Sequence, residues 1–140
     1  MDPISRIVTR VRYAETDQMG VVYHAHYLVW CDMARTEHLR RVGFNYRALE
    51  ESGTRLAVTD VGLRYRQPAR FDDEVVVRCW VREVASRVVR FGYAIERLDA
   101  AILLATAHTT LVALNRHHTP TRLAPEVRRA LLPVADPVRV

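Results

Sequence analysis

From Val61 to Leu114 the chain is written in a period of two, in blocks separated by very short turns. Val61, Leu63 and Tyr65 alternate with Gly62, Arg64 and Arg66 until Gln67-Pro68 breaks the pattern. Asp72-Asp73 then turns the chain into a long strand over Glu74 to Val84, Ala85-Ser86 makes a hairpin connection to a strand over Arg87 to Leu98, and Asp99-Ala100 leads to a last strand over Ile102 to Leu114. The Leu103-to-Ala107 stretch of that strand is also compatible with helix. Strands joined this closely pair with their neighbours mostly antiparallel, because a parallel crossover needs a dozen or more residues.

Upstream, the β-branched and aromatic residues of Ile7 to Ala14 predict a first strand, and Gly20 marks the turn after it. From Ala25 to Val42 the period changes: Tyr27, Trp30, Cys31, Ala34, His38 and Val42 recur at helical spacing, with Asp32, Arg35, Glu37, Arg40 and Arg41 opposite. Glu37 and Arg41 stand at i and i+4 in the favourable order, and Gly43 closes the helix. Asn45 to Glu51 predicts a short second helix ending at Ser52-Gly53, and Pro125 to Leu132 a terminal one. One strand, one long helix and then four strands make an α+β fold with helices segregated to one face of the sheet. Neither linkers nor repeats divide residues 1–140, so a single domain is expected.

Composition removes several chemistries. All 21 basic residues are arginine, so neither a Schiff-base lysine nor a phosphate-loop lysine exists. Ser5, Ser52 and Ser86 are the only serines and none lies in a Gly-x-Ser-x-Gly elbow. Cys31 and Cys79 are far apart and lack metal-type spacing, which reads as two buried reduced thiols. The net charge of +5 is spread along the chain without a basic block, which suits a small polyanionic ligand better than nucleic acid. The apolar runs are too short to span a bilayer and the first residues carry no signal-like segment, so the expectation is a cytoplasmic protein.

Asp17 lies between the end of the first strand and the start of the long helix, in Thr16-Asp17-Gln18-Met19-Gly20-Val21-Val22-Tyr23-His24. A helix start carries unpaired N–H groups and partial positive charge. It can polarise a carbonyl oxygen while a nearby carboxylate attacks the carbonyl carbon or activates water. By position alone, a turn or N-cap aspartate is the commoner role for Asp17. His24 and His26 diverge at a helix start and have no third ligand close by, so no metal site is expected.

That run, continued by Tyr27 and Ala34-Arg35-Thr36-Glu37-His38-Leu39-Arg40, resembles the hotdog-fold acyl-CoA thioesterases of the 4-hydroxybenzoyl-CoA thioesterase type. Tyr65-Arg66-Gln67-Pro68-Ala69, Asp72-Asp73 and Phe91-Gly92-Tyr93 extend the similarity across roughly Arg6 to Leu123. The resemblance implies a curved antiparallel sheet around one long central helix, a homodimer made by edge-to-edge sheet pairing or a homotetramer built from two, and active sites at the dimer interface. It implies that Asp17 is the catalytic carboxylate and that the backbone N–H of His24 helps polarise the thioester carbonyl. Tyr23 completes the candidate set as a pocket wall. His26 departs from the family, which usually has asparagine there.

Hydrolysis of a CoA thioester to a carboxylic acid and free CoA then needs no metal or redox cofactor, coenzyme A being part of the substrate. A carboxylate is ionised at neutral pH, and a thiolate leaves without a strong acid. Arg87 and Arg90 flank the hairpin and are candidates for the CoA phosphates, with a solvated basic face as the plain alternative. Three alternatives remain open: a thioesterase for acyl groups on carrier protein, a non-catalytic acyl-CoA binding protein, and a nucleic-acid module suggested by the sequence pI of 9.8.

Overall fold

The computed structural model describes residues 2–140. Five strands form one sheet: β1 (Ser5–Arg10), β2 (Arg55–Tyr65), β3 (Glu74–Val84), β4 (Val88–Arg97) and β5 (Ile102–Leu114). Their order is β1-β3-β4-β5-β2 and each neighbouring pair is antiparallel. Register shifts in β2 between Val58 and Asp60, in β3 between Val81 and Glu83, and in β4 between Ile95 and Glu96 bend the strands and raise their twist. The helices are α1 (His26–Arg41), α2 (Tyr46–Glu51) and α3 (Pro125–Ala130). This is the expected α+β hotdog arrangement, with α1 packed against the sheet.

The core lies between α1 and one sheet face. Tyr27, Trp30, Cys31, Ala34 and Leu39 from the helix meet Val75, Val77, Cys79 and Val81 of β3, Val89, Phe91, Tyr93 and Ile95 of β4, and Ala105, Ala107 and Leu111 of β5. All these strand residues are odd-numbered, as the two-residue repeat of a pleated strand demands. The end of α1 follows its sequence signal: Gly43 has φ +97°, its N–H donates to Arg40 O, and the N–H of Phe44 donates to Leu39 O. This Schellman motif uses the glycine's freedom at positive φ.

The opposite face of the sheet is also covered. Trp80 is fully buried there, paired across β3 and β4 with Gly92, and its indole N–H donates to Asp136 Oδ1 at 2.8 Å. Arg82 forks onto the same carboxylate at 3.0 Å from both Nε and Nη2, and the Val134 N–H donates to Val81 O. Residues beyond α3 thus strap the outer face, an arrangement that tail composition did not signal.

The boundaries of the sheet differ from expectation at both edge strands. β1 stops at Arg10, and Tyr13–Glu15 is a single 3₁₀ turn. The strand-like composition of residues 11–14 is overridden because the Glu15 carboxylate accepts the Arg12 N–H at 2.8 Å and turns the chain. β2 begins at Arg55, six residues before Val61, since the bulge at Val58/Asp60 breaks the alternation that would have revealed its first half.

On α1, Arg35 is a correction to the polar face: it is 3% exposed. Its Nη2 donates to Asp32 Oδ1 at 2.6 Å and its Nη1 to the Tyr93 hydroxyl at 3.3 Å. Glu37 pairs with Arg40, not Arg41; Arg41 instead donates to Ser5 Oγ at 2.6 Å and Asp2 O at 2.9 Å.

Candidate active site

The loop between β1 and α1 is built on a buried carboxylate. Glu15 is 3% exposed; one oxygen accepts the Arg12 N–H, the other accepts the Trp30 indole N–H at 3.1 Å, and its backbone carbonyl accepts the Tyr23 N–H at 2.8 Å. The Arg12 guanidinium stands 3.6 Å away. A buried charge is tolerated when hydrogen-bonded in this way, and removal of its partners is costly. Glu15 therefore ties both limbs of the loop to the side of α1. Its place in the sequence, three residues after Arg12 in a polar run, gives no sign of burial.

Between those limbs the chain makes a tight turn. The Asp17 N–H donates to Val21 O at 2.9 Å, the Gly20 N–H donates back to Asp17 O at 3.0 Å, and Gly20 takes φ +79°. Asp17 is half-buried, and its Oδ1 accepts the Met19 N–H at 2.9 Å. Among the described residues its second oxygen meets no donor. The plain turn-aspartate reading is thus half true: one oxygen holds the turn and one is left over.

Val21, the pairing partner of Asp17, opens onto a cleft of ≈ 230 Å³ that is also lined by Val22, His24, Tyr27, Tyr65, Arg66, Gln67 and Pro68. Asp17 itself does not line the cleft in the protomer; it flanks it across the turn. The cleft wall is fixed by polar contacts. The Tyr65 hydroxyl donates to His24 O at 2.8 Å, the Ala69 N–H donates to the Tyr27 hydroxyl at 3.0 Å, and the Val22 N–H donates to Ala69 O at 2.9 Å. The rings of Tyr27 and Tyr65 meet edge to face at 5.2 Å. Burial raises the pKa of both tyrosines, so they stay protonated.

His24 is exposed, one residue before the Ala25 cap of α1, and among the described residues its N–H meets no acceptor. Ala25 supplies no capping side chain; the N–H groups of His26 and Leu28 donate to Tyr23 O at 2.9 Å and Ala25 O at 3.1 Å, which leaves the His24 N–H as a donor without an acceptor beside the cleft. Tyr23 is exposed and its ring meets the His24 ring at 4.4 Å, tilted by 49°; it is absent from the cleft lining. His26 is the first residue of α1 and its Nδ1 is buried without a partner among the described residues.

Neither arginine expected at the phosphates lines the cleft. Arg87 is exposed at the β3–β4 hairpin, and Arg90 is paired with Glu83 at 2.6 Å, which neutralises its charge. Arg66 is the guanidinium on the cleft itself, exposed and without an acidic partner among the described residues. Neither cysteine is a rival nucleophile: burial pushes the Cys31 thiol up to about 12 and raises Cys79 well above its ordinary value. Among the described residues no three His, Cys, Asp or Glu side chains gather as a metal set, and no helix is long and apolar enough to cross a membrane.

Comparison with known proteins agrees with this fold. The thioesterase-like superfamily matches residues 11–131. The acyl-CoA thioesterase YbgC of Haemophilus influenzae is 34% identical over 122 residues, covering 86% of this chain and 89% of that protein. Among solved structures, TT1821 of Thermus thermophilus is 39% identical with a TM-score of 0.85, covering 91% of this chain and 96% of that one. The DHNA-CoA thioesterase of Staphylococcus aureus is 30% identical with a TM-score of 0.85, covering 91% and 87%. The chain is a thioester hydrolase and belongs to the thioesterase-like superfamily.

Proposed function

We propose that this protein hydrolyses acyl-CoA thioesters, with Asp17 as the catalytic carboxylate and the start of α1 as the oxyanion site. The observation that carries the reading is the juxtaposition, across one turn, of a carboxylate oxygen without a donor and, at the start of α1 on the cleft, a His24 N–H without an acceptor among the described residues. The thioester carbonyl oxygen would accept from the His24 N–H, where the developing negative charge is stabilised by a preorganised donor and the helix field. The free Asp17 oxygen would then either attack the carbonyl carbon, forming a mixed anhydride that water cleaves, or take a proton from the attacking water. The products are a carboxylic acid and the CoA thiol, and the reacting groups supplied by the chain need no redox cofactor.

Arg66 on the cleft rim replaces Arg90 as the better partner for the CoA phosphates, because Arg90 is already paired. Arg87, exposed on the hairpin and without an acidic partner among the described residues, keeps that role as well. Assembly as a homodimer through the β2 edge is supported by exposed Val58 and Val61 on that strand beside exposed Val29 and Met33 on α1. Such a dimer would bring a second chain to the open side of the loop that carries Asp17.

The testing experiment is a panel of aryl-, short- and long-chain acyl-CoAs and acyl-carrier-protein thioesters, read by colorimetric thiol release. Turnover of at least one CoA thioester is expected. Binding without thiol release across the panel would favour a non-catalytic binding protein, and turnover of carrier-protein thioesters alone would reassign the substrate. Single turnover in labelled water separates the two routes: label entering Asp17 marks the anhydride.

A further inference from the structure

A second cavity lies at the other end of α1, roughly 20 Å along the helix from the cleft at its 1.5 Å rise per residue. Three parts of the chain enclose its ≈ 190 Å³: the segment leading into β1, the end of α1 and the segment leaving α3. Pro3, Val42, Ala130 and Leu132 give it apolar walls. Leu132 keeps 63% of its surface exposed there, so an apolar occupant would bury it.

Two opposite charges line the same space, and each is held by bonds that leave its charge unspent. The Arg41 guanidinium, part-buried, donates from Nη1 to Ser5 Oγ at 2.6 Å and from Nη2 to Asp2 O at 2.9 Å. Both acceptors are neutral. Among the described residues no carboxylate pairs with Arg41, whereas its neighbour Arg40 is taken up by Glu37. A guanidinium has further N–H donors beyond the two that fix it here. Ser5 and His38, 1% and 4% exposed, support Arg41 from within. Burial and the Arg41 charge lower the His38 pKa, so at neutral pH Arg41 is the cation of this lining. The last carbonyls of α1 accept the N–H groups of Val42, Gly43 and Phe44 and do not compete for it. Asp2 is exposed and pinned in turn: its Oδ1 accepts the Ile4 N–H at 2.8 Å, and its second oxygen meets no donor among the described residues.

A ligand carrying a carboxylate alone would meet repulsion from Asp2, and one carrying an ammonium alone would meet it from Arg41. A zwitterion answers both charges, and the apolar walls take a hydrocarbon side chain. We infer that this cavity binds a free α-amino acid with an apolar side chain, its carboxylate on Arg41 and its ammonium on Asp2. The site is separate from the thioesterase reading and does not rest on it, since the cleft and Asp17 contribute nothing to its lining.

The test titrates the full chain with L-valine, L-leucine and L-phenylalanine, by calorimetry and by amide chemical shifts. Two analogues of leucine are run beside them: 4-methylpentanoate, which lacks the ammonium, and 3-methylbutylamine, which lacks the carboxylate. At least one amino acid should bind with a Kd of about 1 mM or below, shifting the amides of Ser5, Arg41 and Val42 and sparing those of Asp17 and His24. Each analogue should bind at least about 10-fold more weakly than leucine, the scale of one charge-assisted hydrogen bond. Asp2→Asn keeps an oxygen for the Ile4 N–H, so its turn is preserved, and there leucine should lose its advantage over 4-methylpentanoate. In Arg41→Met, leucine should lose its advantage over 3-methylbutylamine. No saturable binding of any of the three amino acids up to about 20 mM overturns the assignment. So do an analogue that binds as tightly as leucine, shifts confined to the cleft, and an advantage over 4-methylpentanoate that survives Asp2→Asn.

Discussion

At the scale of single residues, the site divides into groups that act through side chains and groups that act through the backbone. His24 belongs to the second kind: its ring is exposed and meets Tyr23, while its N–H has no acceptor among the described residues. His24→Ala is accordingly expected to retain activity within about threefold. His24→Pro, which lacks the N–H, should lose roughly 100-fold or more in kcat, the usual scale for one oxyanion donor. Comparable losses in both variants would put the chemistry on the imidazole. His38 is a residue of a different sort, buried and remote from the cleft. Arg41 donates to Ser5 Oγ at 2.6 Å, and the Ser5 hydroxyl shares a 2.7 Å hydrogen bond with His38 Nδ1 whose donor is set by the ring tautomer. Burial, reinforced by the nearby Arg41 charge, lowers the His38 pKa. The unfolded chain therefore binds this proton first as pH falls. The stability contribution is full above the ordinary histidine value near 6.5 and is lost as pH drops below it toward the folded value. Thermal melts between pH 7.5 and 5 should show a Tm decline that is shallower in His38→Gln; identical slopes would remove His38 as the cause.

At the scale of elements, the loop from β1 to α1 depends on Glu15 more than on the residues of its own turn. Glu15→Ala strips the indole of Trp30 and the N–H of Arg12 of their acceptor, at an expected cost of about 2–4 kcal/mol. Because the same residue positions the turn of Asp17, kcat should fall even at temperatures where the variant remains folded. A variant that melts lower but turns over normally would confine Glu15 to stability. The C-terminal end of α1 and the three strands β3, β4 and β5 were legible in the chain, since each is bounded by a turn or cap whose chemistry is local: Gly43, Asp72-Asp73, Ala85-Ser86 and Asp99-Ala100. The Leu103-to-Ala107 stretch is strand because β5 pairs on both sides. What period alone could not supply was anything decided by tertiary contact. The buried face of α1 includes Arg35, charged yet satisfied in part by Asp32 and Tyr93. The first half of β2 is hidden by its bulge, and Glu15 is buried because an indole from α1 reaches it. For the site, Asp17 and His24 were visible as a motif, and Tyr65 and Arg66 as part of the family resemblance, whereas their place on the cleft follows from strand pairing that no local signal encodes.

At the scale of the whole molecule, two sheet faces are filled by different means: one by α1, the other by the chain after α3. Trp80 is sealed by Asp136 and the strap, and an added Cβ at Gly92 would stand 2.6 Å from its indole, so glycine makes room for the ring. Deletion of residues 134–140 should shift tryptophan emission to the red and cost about 2–5 kcal/mol, from the aromatic area exposed and the lost hydrogen bond. An unshifted spectrum would mean the strap is not what buries Trp80. Turnover itself belongs to this assembled molecule, so the decisive comparison is made at matched fold. In Asp17→Asn the amide oxygen can still accept from Met19, which preserves the turn while removing the anionic oxygen. With far-UV spectrum, Tm and oligomeric state equal to wild type, its kcat/KM for an acyl-CoA that the wild type turns over should fall at least 100-fold; a folded Asp17→Asn protein that hydrolyses the thioester at the wild-type rate would contradict a carboxylate mechanism at this site.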